Sequence, residues 1–105
     1  MAKRKVVWTE TAFKQRREIL KYWTVRNGSA TYSKKLIKLI ATRIKVIQKF
    51  PESYRLTEYP ETRFSAMGHY SILYKLTEDQ LIVTAFWDNR QDPQKLLEII
   101  NPSQN

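Results

Sequence analysis

The run Asp88-Asn89-Arg90-Gln91-Asp92-Pro93 gathers two carboxylates, two amides and a guanidinium into six positions that close a long apolar alternation. Arg90 and the earlier Arg63 are the cations best placed for anion chemistry. If they converge from neighbouring strand ends, they can hold a phosphate or an acidic side chain. If they do not, each pairs with Glu61, Asp88 or Asp92 as local structural charge. His69 is able to move protons near neutrality, but beside Gly68 at a bend it reads as a turn residue. Asp88 and Asp92 can form a carboxylate pair, yet Asp92 before Pro93 is better explained as a helix cap. Glu58 and Glu61 are general bases by type, and nothing in their spacing separates them from solvent-facing charges. Tyr70 and Tyr74 share a face with Ile72, which makes them core and rim aromatics more than base-stacking platforms.

Other chemistries lack residues. Cysteine is absent and His69 is the one histidine, so thiolate and His-rich metal sites are not expected, nor is a small-molecule cofactor. No apolar run reaches bilayer length. A soluble, cytoplasmic protein without membrane contacts is expected, built as a single domain over residues 1–105.

The elements that must position these residues follow from periodicity. Tyr70, Ile72, Tyr74 and Leu76 alternate with Ser71, Leu73 and Lys75. Leu81, Val83, Ala85 and Trp87 then alternate with Ile82, Thr84 and Phe86, so two long strands are expected, joined by the short polar connection Thr77–Gln80. Both faces of the second strand are apolar, which places it mid-sheet. Upstream, a short strand over Lys5 to Trp8 hands over at Thr9, an N-cap, to a helix from Glu10 to Arg26. Asn27-Gly28 stops it, and Ser29 or Thr31 caps a second helix whose Tyr32, Leu36, Leu39, Ile40, Ile44, Ile47 and Phe50 recur at steps of three and four up to Pro51. A third strand is expected over Thr62 to Ala66 with Phe64 and Ala66 facing inward, and a last helix over Pro93 to Ile100. The order is strand, helix, helix, strand, strand, strand, helix. That is an α+β domain with an antiparallel sheet and a helical hairpin on one face.

The net charge is +9, and its distribution is uneven. Residues 1–50 hold 14 Lys/Arg against Glu10 and Glu18, or +12, while residues 51–105 hold 5 against 8 acids, or −3. A polyanionic partner, nucleic acid or an acidic protein segment, fits such a front half; a solvated helix face is the plainer account.

Val6-Val7-Trp8-Thr9, Ala12, the helical hairpin, Pro51, Arg63-Phe64, Tyr70-Ser71-Ile72-Leu73-Tyr74 and Phe86-Trp87-Asp88-Asn89-Arg90-Gln91-Asp92-Pro93 together resemble the RelE/ParE superfamily of toxins, from about Lys5 to Ile100. The resemblance implies the toxin of a type II toxin–antitoxin, or plasmid stabilisation, pair, neutralised by a cognate antitoxin. RelE-like members cut mRNA on the ribosome without a metal; ParE-like members poison DNA gyrase. In the nuclease members an arginine stands where this chain has Ser71, and a serine cannot supply a fixed cationic fork to phosphate. Arg90 matches the basic residue kept after the last strand. The acid or base that follows it in nucleases has no counterpart in Gln91, Asp92 or Pro93. The resemblance therefore implies a ParE-like growth inhibitor that acts by binding, with Arg63, Arg90, Asn89 and Tyr70 as target contacts. A RelE-like ribosome-dependent endoribonuclease and a non-toxic RNA-binding or scaffolding module are the alternatives.

Overall fold

A computed structural model describes residues 3–91 together with Gln94 and Lys95. The elements run β1 (Lys5–Trp8), α1 (Glu10–Asn27), α2 (Thr31–Lys49), β2 (Arg63–Met67), β3 (Tyr70–Leu76) and β4 (Gln80–Asp88). The helix expected over Pro93 to Ile100, with Asp92 as its cap, lies outside the described residues apart from Gln94 and Lys95.

Both helix boundaries have local causes. The Thr9 side chain accepts the Ala12 N–H at 3.1 Å, satisfying a donor of the first turn of α1. At its far end Gly28 adopts φ 63°, the left-handed cap that a Cβ would disfavour, and its N–H turns back to the last carbonyls of α1. Ala30 occupies the N-cap of α2 and makes no side-chain cap; Ser29 instead accepts the Thr31 N–H at 3.1 Å. Thr24 and Ser33 hydroxyls meet at 2.7 Å and Ser33 donates to Leu20 O at 2.8 Å, so the two helices touch through small polar side chains near their turn.

The sheet order is β1-β4-β3-β2, which puts β4 in the middle as expected, with β3 beside it. It is mixed, not antiparallel. β1 runs parallel to β4, with Val6 opposite Leu81 and Trp8 opposite Val83, while β2, β3 and β4 pair antiparallel. Parallel neighbours need a long crossover, and here the helical hairpin with β2 and β3 supplies it.

A bulge corrects the simple alternation read for β4. Leu73 pairs with Ala85 but Tyr74 pairs with Val83, leaving Thr84 as an extra residue. Leu81 and Val83 therefore face the helices along with Phe86, in a core with Ile72, Tyr74, Leu36, Ile40 and Ile47. Ala85 and Trp87 turn to the opposite face and pack with Leu73, Phe64 and Tyr59. The inward pair expected on β2 is also corrected. Ser65 is buried, Phe64 joins the far-face cluster and Ala66 is exposed, because Phe64 sits opposite Leu73, which itself points away from the helices.

Beyond Val83, β1 has ended and the edge of β4 is open. Thr9 N–H donates to Val83 O at 3.0 Å, and Gln15 of α1 reaches over to accept the Phe86 N–H at 2.9 Å. An unpaired N–H there costs about 1–3 kcal/mol. Gln15→Ala is expected to lower unfolding free energy by about that amount. Thr84→Val, which removes a buried hydroxyl with no partner among the described residues, is expected to be neutral or stabilising. Urea titration of both variants checks the pair; equal losses would mean that Gln15 does not close the edge.

Candidate functional site

The start of β3 and the end of β4 lie side by side, with Tyr70 directly opposite Asp88. Tyr70 is buried, its ring stacked on Phe86 at 5.2 Å, and its hydroxyl accepts the Trp23 indole N–H at 2.7 Å. Trp23 lies between Tyr22 and Tyr32, with edge-on ring contacts at 5.1 and 5.0 Å. The second half of α1 is thereby held against the end of the sheet, and between them opens a cleft of about 400 Å³. Glu18, Ile19, Tyr22 and Trp23 form its helix wall; Tyr70, Asp88, Arg90 and Gln91 form its sheet wall.

Arg90 is locked by a two-pronged bond to Asp88. Its Nε and Nη2 donate to the two carboxylate oxygens at 2.9 and 2.8 Å, and its backbone N–H donates to Oδ1 at 2.9 Å. Those bonds hold the Asp88 carboxyl below its usual range despite an opposing push from burial, and the same carboxylate raises the Arg90 guanidinium. Burial raises the Tyr70 phenol, with the Trp23 hydrogen bond opposing. The arrangement offers aromatic rings, two carboxylates and a guanidinium that is half exposed but already paired. It suits recognition of a partner side chain.

Of the residues singled out by sequence, Tyr70, Asp88 and Arg90 meet in this cleft. Asn89 is exposed and is tied back to β3: its Oδ1 accepts the Ser71 hydroxyl at 2.9 Å and its N–H donates to His69 O at 2.8 Å. Arg63 does not join them. It sits opposite Tyr74, four residues along β3 from Tyr70, or about 13 Å. Its guanidinium donates to the carbonyls of Tyr54 at 2.7 Å and Glu52 at 3.2 Å. The expected alternative partner, Glu61, is not what holds it. Tyr74 helps fix the same loop by donating to Pro51 O at 2.6 Å, and burial pushes its phenol up to about 12. Glu58 and Glu61 lie at that loop end with Arg63, lining a separate hollow, and His69 is exposed at the β2–β3 turn. Ser71 is buried beside Trp87. Glu18, Ile19, Tyr22 and Trp23 are the cleft residues that a reading centred on the strands missed. The signal was present: Glu18, Tyr22 and Ile19, Trp23 are two pairs at i, i+4, which share a helix flank.

Asp88 carries a testable sign. A carboxyl whose folded pKa is depressed contributes stability that is complete above its unfolded value of 3.8 and is lost as pH falls through the folded one. Wild-type unfolding free energy is expected to fall more steeply below about pH 4 than that of Asp88→Asn. The two curves should draw together once the carboxyl is protonated. Denaturant titrations across the acid range measure this, and parallel curves would show that the Arg90 pairing adds nothing to the fold.

Comparison with known proteins agrees with this architecture. Among solved structures, one of the chromosomal ParDE toxin–antitoxin system from P. aeruginosa superposes with a TM-score of 0.70 at 17% identity, over 81% of this chain and 95% of that one. It shares the fold. No curated protein matches the sequence. The family described as ParE toxin of type II toxin–antitoxin system, parDE, matches residues 6–93, nearly the whole of the described chain. The chain belongs to the ParE toxin family.

Proposed function

We propose that this ParE family member inhibits growth by binding its target, that residues 1–105 act as one cytoplasmic toxin domain, and that a cognate antitoxin neutralises it. DNA gyrase is the target that the family resemblance implies. One observation carries the preference for binding over RNA cleavage: the polar groups at the strand ends are already engaged by the fold. Arg90 is paired with Asp88, Arg63 caps carbonyls of the 52–54 loop, and Ser71 is spent on Asn89.

Cleavage of RNA without a metal needs a base for the 2′-hydroxyl, an acid for the leaving oxygen and free cations on the phosphate. The sheet face opposite the helices is instead occupied by Leu73, Ala85 and Trp87, which are buried with Phe64 and Tyr59 packed against them. Next to Arg90, the Asp88 carboxyl is depressed and the Tyr70 phenol is raised, which moves both away from neutrality. Binding asks less of these groups. A partner carboxylate or phosphate can exchange with Asp88 on the outer edge of Arg90, while an apolar or aromatic group enters against Ile19, Tyr22 and Trp23. No helix among the described residues is long and apolar enough to cross a membrane.

Induction of the chain in cells tests the reading. Growth arrest with gyrase-linked DNA breaks, intact mRNA at ribosomal A sites, and rescue by the coexpressed antitoxin are expected. Arg90→Ala should weaken arrest by about tenfold, the scale of one interface contact. Prompt A-site cleavage that Arg90→Ala abolishes, without DNA damage, would establish the nuclease instead. An induced chain that is harmless would favour a scaffolding role.

A further inference from the structure

No carboxylate occurs between Glu18 and Glu52, and α2 lies wholly within that interval. Its apolar side, Leu36, Ile40, Ile44 and Ile47, is buried against the sheet. The opposite side is a single row, Thr31, Lys35, Lys38, Thr42, Lys45 and Lys49, at alternating steps of four and three, and every member is exposed. Such steps keep side chains on one line along a helix, so the row extends for roughly 27 Å at 1.5 Å per residue. Among the described residues the one ion pair is Arg90 with Asp88, so none of these lysines is neutralised. The remaining α2 arginine, Arg43, is turned inward toward Ser65.

We propose that this outward ridge of α2 is a contact surface for the phosphate backbone of double-helical DNA, separate from the cleft around Arg90. A duplex carries a negative charge about every 1.7 Å of its axis, dense enough for each lysine of the row to find a phosphate. The ridge holds lysines and threonines alone. Lysine supplies a point charge and threonine a hydroxyl, both common phosphate contacts, whereas the arginine, asparagine and glutamine that read base edges bidentately are absent from it. Recognition is therefore indifferent to sequence. The row has no aromatic member on which unstacked bases could lie, which disfavours single strands. The large apolar side chains that remain exposed here, Ile37, Leu39 and Val46 of α2 and Phe50 at its C-cap, lie outside the row instead of interrupting it. A convex helix also follows a wide B-form groove better than the deep, narrow major groove of A-form RNA.

The surface does not depend on the toxin reading, and its test has a different readout. The purified full chain is titrated into a labelled mixed-sequence DNA duplex of about 30 base pairs, with fluorescence anisotropy followed from about 50 mM to about 200 mM salt. Four lysine–phosphate contacts predict a log–log salt slope near −3.6, about 0.9 per contact, and no preference when the sequence is shuffled. Replacing Lys35, Lys38, Lys45 and Lys49 with glutamine should remove most of that slope and weaken binding at low salt by about 100-fold or more. All four are exposed, and an unchanged circular dichroism spectrum confirms the fold. The paired control Lys14→Gln with Lys21→Gln, on α1, should leave the slope nearly intact. The proposal is overturned if the quadruple variant keeps the wild-type slope. It is equally overturned if an RNA duplex, anionic lipid vesicles or an acidic helical peptide binds the ridge more tightly than DNA.

Discussion

A single extra residue, Thr84, governs how the rest of this molecule is arranged. β4 begins as an interior strand between β1 and β3, and the bulge ends that regime. Before it, Leu81 and Val83 face the helices; after it, Phe86 takes over that face while Ala85 and Trp87 are turned to the other. A regular strand would have kept Val83, Ala85 and Trp87 on one side and sent Phe86 away from Tyr70. The second half of β4 would then lack the ring that Tyr70 stacks on. The bulge also coincides with the end of β1, so the hydrogen-bonding edge of β4 passes from a strand to Thr9 and Gln15 of α1. Helix α1 is fixed against the sheet at that point, and the cleft lined by Trp23 and Arg90 lies further along the same helix and strand.

This explains which parts were legible in the sequence. Helix boundaries were, because Thr9, Gly28 and Pro51 act through local backbone geometry. The central place of β4 was, because a strand covered on both faces must be apolar on both. The direction of β1 was not: nothing in Val6-Val7-Trp8 distinguishes a parallel from an antiparallel neighbour, since that choice depends on where the chain returns after four further elements. Nor was the bulge, because Thr84 and Ala85 fit either alternation. β2 was misassigned for a separate reason: its pairing with β3 is regular, so Phe64 follows Leu73 to the far face and Ser65 follows Ile72 inward.

The site was legible in part, for a related reason. Arg90, Tyr70 and Asn89 were found because they stand at strand ends, where side chains meet solvent and partners. Their grouping was not, because neighbours along the chain diverge across a sheet: Asn89 binds Ser71, while Asp88 and Arg90 border the cleft. Arg63 was assigned by type, and type does not reveal that a guanidinium is holding loop carbonyls. The α1 wall was missed because Glu18, Tyr22 and Trp23 look like ordinary positions of an amphipathic helix until a strand end is placed opposite them.

Charge completes the picture. The fold uses its second-half cations locally, Arg90 on a carboxylate and Arg63 on carbonyls, and in both cases geometry is supplied by the short reach between adjacent strand or loop residues. The lysines of the α2 row have no such reach. With no acid between Glu18 and Glu52, the lysines of α2 are too far along a helix from any carboxylate in sequence to form i, i+4 pairs. Their mutual repulsion is tolerated because each is separately solvated, and it remains as a field that an anion can relieve. Arg16 shows the other outcome open to a cation here: it lies over Trp8 at 4.4 Å, and burial lowers its pKa. The lysine row has no such ring beneath it apart from Lys49 near Phe50 at 5.6 Å. Its charge is therefore directed outward, and none of its members lines the cleft.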